Sequence, residues 1–128
     1  MSDDARVTPP SNAYTGSDFY CDVALRDVAA LDVVHDGDGV LAYHHTRPFW
    51  DVHIVVVPKR HVASLTDVTG ADESLARELF RVLQHVASRV EAEHGAARVL
   101  TNLGAYQDSK HLHVHVSCGD RRPGAGDG

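Results

Sequence analysis

Cysteine is scarce in this 128-residue chain: Cys21 and Cys118 are its only two, too far apart for a CxxC pair and too few for a disulfide framework. Usage of that kind points to a reducing compartment, and the cytoplasm is the expected location. Long apolar runs are missing too. The most concentrated stretch, Ile54 to Val57, falls far short of the ~20 residues that a membrane-spanning helix needs, so no membrane role is expected. The opening Met1-Ser2-Asp3-Asp4 has acids where an export signal carries basic residues and then an apolar block. Positive charge is also short. Twelve Lys plus Arg against 18 Asp plus Glu leave a formal charge of −6, which repels a polyanion over most of the surface. Extended nucleic-acid binding is disfavoured, whereas a small local phosphate site is not.

Histidine, by contrast, is abundant. The chain has ten, and six of them, His44, His45, His53, His111, His113 and His115, gather in two short regions. The length suits one domain. Residues 1–16 carry acids, two prolines and small polar side chains without apolar periodicity and read as a flexible tail. The stretch 119–128, Gly-Asp-Arg-Arg-Pro-Gly-Ala-Gly-Asp-Gly, reads the same way, which leaves a folded domain over 17–118.

Within that domain, Leu31 to His35 and Val40 to His44 are β-prone runs joined by Asp36-Gly37-Asp38-Gly39, the pattern of a hairpin. Val52 to Val57 is a third strand, stopped by Pro58. Leu75, Leu79, Val82, Leu83, Val86 and Val90 form one stripe at helical spacing, which predicts a long helix over 71–94. Asp72 or Thr69 can cap its start and Gly95 its end. Ala97 to Thr101 and His111 to Cys118 supply strands four and five, and a short helix is expected around Asp18 to Arg26. The fold class is α+β, a mostly antiparallel five-stranded sheet with one long helix.

His111-Leu112-His113-Val114-His115-Val116 alternates without a break. A strand therefore puts three imidazoles on one face, expected to meet solvent, and Leu112, Val114 and Val116 on the packed face. A single histidine on a half-exposed strand needs no explanation, but three at strict period two do. A metal held by two of them with His53 as a third ligand is one chemistry. It leaves part of the row idle, because the outer pair is ~13 Å apart along a strand. Nucleophilic catalysis uses the whole row: one neutral imidazole attacks phosphorus while its neighbours orient it and neutralise phosphate oxygens.

This row, preceded by Asn102 and Gln107, resembles the histidine-triad (HIT) family of nucleotide hydrolases and transferases, whose motif is His-φ-His-φ-His-φ-φ. Asp36 to His44, and His53 followed by Pro58-Lys59-Arg60-His61, are similar to the family's hairpin and His-containing strand. The resemblance covers 17–118 and is nearest to the Hint-like branch. It implies a HIT-like fold without a cofactor or bound metal, and His113 as the nucleophile that takes a nucleoside phosphoryl group. It further implies His111 and His115 as groups that bind the phosphate and assist the leaving group, with His53 as their contact. Asn102, Gln107 and Ser109 would line the phosphate site, with Tyr43, His44 and His45 toward the nucleoside. His115 in the third position, where the uridylyltransferase branch has Gln, favours hydrolysis over transfer. Two positions depart from the Hint pattern: His45 stands where relatives have a ribose-binding Asp, and Asp108 where they have Ser.

The resemblance makes a purine nucleotide or nucleotide adduct the expected ligand, with nucleoside phosphoramidates or related mononucleotide adducts as substrates. Dinucleoside polyphosphate hydrolysis, or nucleotide sensing without turnover, are the alternatives. Relatives pair through the helix and the fourth strand, so a homodimer is expected.

Overall fold

The computed structural model describes residue 20 and residues 24–122. Five strands, β1 (Val33–Asp36), β2 (Val40–His44), β3 (Trp50–Pro58), β4 (Arg98–Leu100) and β5 (Val114–Arg121), form one antiparallel sheet in the order β1-β2-β3-β5-β4. A short helix α1 (Val68–Ala71) leads into the long α2 (Glu73–His94), which crosses the sheet between β3 and β4. The expected architecture is present. The tail at 1–16 and most of the short helix expected at 18–26 lie outside the described residues, of which Ala24–Arg26 form one 3-10 turn.

Helix α2 begins where the sequence can satisfy its orphan amides. The Asp72 carboxylate accepts from the Ser74 and Leu75 N–H groups at 2.9 and 3.2 Å, and Gly95 closes the other end at φ 85°. Its apolar stripe, Leu75, Leu79, Val82, Val86 and Val90, packs against Val40, Ala42, Ile54, Val56, Leu112, Val114 and Val116. Each such side chain contributes about 1.5–3 kcal/mol when fully buried, which holds β3 and β5 against the helix. The other sheet face carries Leu41, Tyr43, Val55 and Val57, covered by Tyr20 and Ala24.

The C-terminal boundary differs from the expectation. Strand β5 runs on to Arg121, pairing Val52 with Cys118 and Trp50 with Arg121, so 119–121 are strand and not tail. Polar side chains there hid the strand, because main-chain pairing and contacts to β3 and β4 stabilise it instead. Asp51 accepts from the Asp120 N–H at 3.0 Å, and the Arg98 guanidinium lies 4.3 Å from the Trp50 ring centroid. Gly119, at φ 91°, is required here, since a Cβ would stand 2.6 Å from the Asp51 carboxylate. No helix among the described residues is long and apolar enough to cross a membrane.

Candidate functional site

The imidazoles sit on the sheet face away from α2. Residues paired across an antiparallel sheet share a face, and the row Tyr43–Val55–His115 runs straight across β2, β3 and β5. His53, two residues before Val55, shares that face and reaches His115 diagonally, Nε2 to Nδ1 at 2.8 Å. His113 precedes β5 and its ring meets that of His115 edge-on, centroids 5.1 Å apart. His45, just past the end of β2, stacks on His53 at 4.4 Å and 23°, with Phe49 packed against both rings.

This face is not open to solvent as expected. His111, His113 and His115 are 0%, 3% and 6% exposed. Tyr20 lies with its ring centroid 4.8 Å from that of His113 and 5.7 Å from that of His111.

Hydrogen-bond partners fix where the ring protons sit, since a carbonyl only accepts and a main-chain N–H only donates. The Nδ1 of His113 is 2.7 Å from the His111 carbonyl and carries a proton, so Nε2 of the neutral ring keeps its lone pair. The Phe49 N–H donates to Nδ1 of His53 at 3.0 Å, so His53 is protonated at Nε2 and donates to Nδ1 of His115. Neutral His115 then bears its proton at Nε2. The result is one imidazole whose basic nitrogen is Nε2 beside another protonated at Nε2, the tautomers suited to a nucleophile and a hydrogen-bond donor as neighbours.

Other expected residues take different places. The His111 ring donates from Nε2 to the Pro58 carbonyl at 2.7 Å. This N–H is held by the main chain, and the His111 carbonyl in turn accepts from Nδ1 of His113. Gln107 is buried and donates to the Ala63 carbonyl at 2.7 Å; Ser109 is buried beside it in sequence, and Asn102 is half-buried just past β4. Tyr43 shares the histidine face but is 2% exposed inside the Tyr20 cluster and presents no open surface to a base. His44 does not join the site. It points to the helix side, with Val34, Ile54, Val86 and Arg89, because the β2 pleat sends neighbouring residues to opposite faces.

The sequence reading passed over three contributors: Tyr20, the Phe49 amide, and Thr101, whose hydroxyl donates to the His113 carbonyl at 2.8 Å. Tyr20 had an aromatic signal in an ambiguous segment. A main-chain amide has none.

Among the described residues, ring nitrogens of His45, His53 and His115 come within 4.8 Å of one another, near enough to suggest a metal centre. Their hydrogen bonds oppose one. Metal-bound histidine normally donates its second ring N–H to an acceptor. Here the second nitrogens of His45 and His53 accept from the Arg47 and Phe49 amides, each at 3.0 Å. A cation at Nε2 would leave those rings without a proton, so the set suits proton transfer better than coordination.

Comparison with known proteins agrees with the fold and the motif. The HIT domain model matches residues 26–122. A 13.2 kDa HIT-like protein of Azospirillum brasilense is 35% identical over 100 residues, covering 76% of this chain and 82% of that protein. The structure is similar to a histidine triad protein from Clostridium difficile, with a TM-score of 0.66 at 28% identity over 88% of this chain and 99% of the other. It shares its fold with a HIT family hydrolase from Legionella pneumophila, TM-score 0.67 at 23% identity, covering 81% and 94% of the two chains. The chain belongs to the HIT-domain family.

Proposed function

We propose that this protein hydrolyses nucleoside 5′-phosphoryl bonds through a covalent nucleotidyl-His113 intermediate, with nucleoside phosphoramidates as the leading substrate class. The observation that carries this reading is the hydrogen-bond pattern that sets the tautomers of two adjacent rings: His113 is protonated at Nδ1, which makes Nε2 its basic nitrogen, and His115 bears its proton at Nε2. The description of the Legionella relative as a hydrolase supports the reaction class.

In the first step Nε2 of His113 attacks phosphorus and forms a P–N bond, while the bond to the leaving amine breaks. The leaving nitrogen accepts a hydrogen bond from Nε2 of His115 and departs as the amine with a proton taken up from solvent, so that His115 stays neutral with Nδ1 bonded to His53. In the second step a water attacks the same phosphorus and returns a proton to solvent, while the N–H of His115 remains hydrogen-bonded at the phosphoryl group. The P–N bond to His113 then breaks and releases the nucleoside monophosphate. Asn102, Gln107 and Ser109 line the loop side of the phosphate.

Incubation with adenosine 5′-phosphoramidate and measurement of AMP release test the reading. Steady release, with a nucleotidylated protein species in rapidly quenched samples, is expected. Nucleotide binding without turnover would point instead to a sensor, and faster turnover of dinucleoside polyphosphates would move the substrate class.

A further inference from the structure

His113 lies just outside both ladders that hold its neighbours. The pairing of β4 with β5 ends at Leu100 and His115, and that of β3 with β5 ends at Val56 and Val114. The chain bearing the proposed nucleophile thus runs past the end of the regular sheet. Where a fourth β4 residue would continue the ladder, Thr101 turns away toward the 3-10 turn Gly104–Tyr106. Its hydroxyl, half-buried, donates to the His113 carbonyl at 2.8 Å. On the other side of that backbone, the Leu112 N–H donates to the Val62 carbonyl at 2.7 Å.

We infer that Thr101 is a positioning residue for His113, a side-chain substitute for the missing ladder bond that fixes the direction of the imidazole. The inference rests on the reading of His113 as nucleophile. The His113 ring is tied through Nδ1 to the carbonyl of His111, two residues earlier in the same segment. Ring and main chain therefore move together, and a shift at the His113 carbonyl swings Nε2. In-line attack on phosphorus tolerates little of this, since misplacing a reacting atom by about 1 Å costs about 10²-fold in rate. The β-branched shape of Thr suits the end of a strand, and valine keeps that shape without the hydroxyl.

Three variants, Thr101→Val, Thr101→Ala and Thr101→Ser, separate positioning from packing. With adenosine 5′-phosphoramidate, Val and Ala are expected to lower kcat roughly 10- to 100-fold while KM moves less than about threefold. Serine retains the hydroxyl and is expected to restore kcat to within about threefold of wild type. Wild-type kcat in the valine variant overturns the inference, and so does a serine variant as slow as valine. The ¹⁵N resonances of the His113 ring provide a readout independent of turnover: Val is expected to shift them and blur the Nδ1–H pattern, and Ser to keep it. If wild type turns over none of the substrates, the functional reading fails, and these resonances alone decide: a valine spectrum identical to wild type overturns the positioning role.

Discussion

His53 donates from Nε2 to Nδ1 of His115 across 2.8 Å, and the Phe49 amide on the far side of the His53 ring sets the direction of that donation. His115 is left with its N–H aimed away from His53. Replacing His53 by Ala removes the group that holds this tautomer. We expect kcat to fall about 10²-fold, within the range for loss of assisted proton transfer. Because the proton matters only when the leaving group is poor, a substrate with an acidic phenol as leaving group should lose far less. Equal losses on phenol and amine substrates in a stopped-flow comparison would remove His53 from assisting the leaving group.

For His113 the expected result is loss of turnover with retention of nucleotide binding. Its ring is buried against Tyr20, so His113→Ala leaves a cavity as well as removing the nucleophile. A lowered Tm is therefore part of the expectation. His113→Asn, more polar and closer in volume, should be equally inactive with a smaller drop. Near-normal AMP release by either variant would place the covalent step elsewhere.

Much of the architecture was legible because packing leaves a period in the sequence. The stripe from Leu75 to Val90 and the Asp72 cap mark α2, and the alternation of His111, His113 and His115 with Leu112, Val114 and Val116 identifies the two faces. Contacts that leave no period were not legible. Residues 119–121 extend β5 through main-chain pairing, which polar side chains conceal. His44 and His45 are adjacent and both imidazoles, yet the pleat sends one to the helix side and the other onto His53. The Tyr20 ring packs against His111 and His113, from which it is distant in sequence.

His45 is expected to discriminate poorly between ribose and deoxyribose. Its Nδ1 accepts from the Arg47 amide and its face is stacked on His53, so it lacks the pair of acceptor oxygens with which a carboxylate binds a diol. Competition binding should give AMP and dAMP affinities within about fivefold of each other, equivalent to about 1 kcal/mol. His45→Asp should widen the gap toward AMP. A strong wild-type preference for AMP that His45→Asp leaves unchanged would show that other residues hold the sugar.

At the sheet edge, all three residues of β4 are exposed, and a groove lined by Gln84, His85, Ser88, Glu91, Ala97 and Val99 runs between this strand and α2. The edge of the sheet formed by the described residues, with Val99 exposed on it, is a surface that a second copy can cover. We expect a homodimer in sedimentation experiments at micromolar concentration, and a shift toward monomer with Val99→Asp. A wild-type monomer at that concentration would count against it.

The placement of Leu112, Val114 and Val116 against the helix and of the three imidazoles opposite leaves the segment 111–118 intolerant of any change in length. Losing or gaining one residue there would exchange the two sets, pressing imidazoles into the hydrocarbon beneath α2 and turning branched aliphatics toward the phosphate. Fold and chemistry would fail in the same event. The exposed turn at 103–106 has no such alternation to keep, so changes in length that reshape what the protein accepts can accumulate there, while the reacting row stays fixed in length.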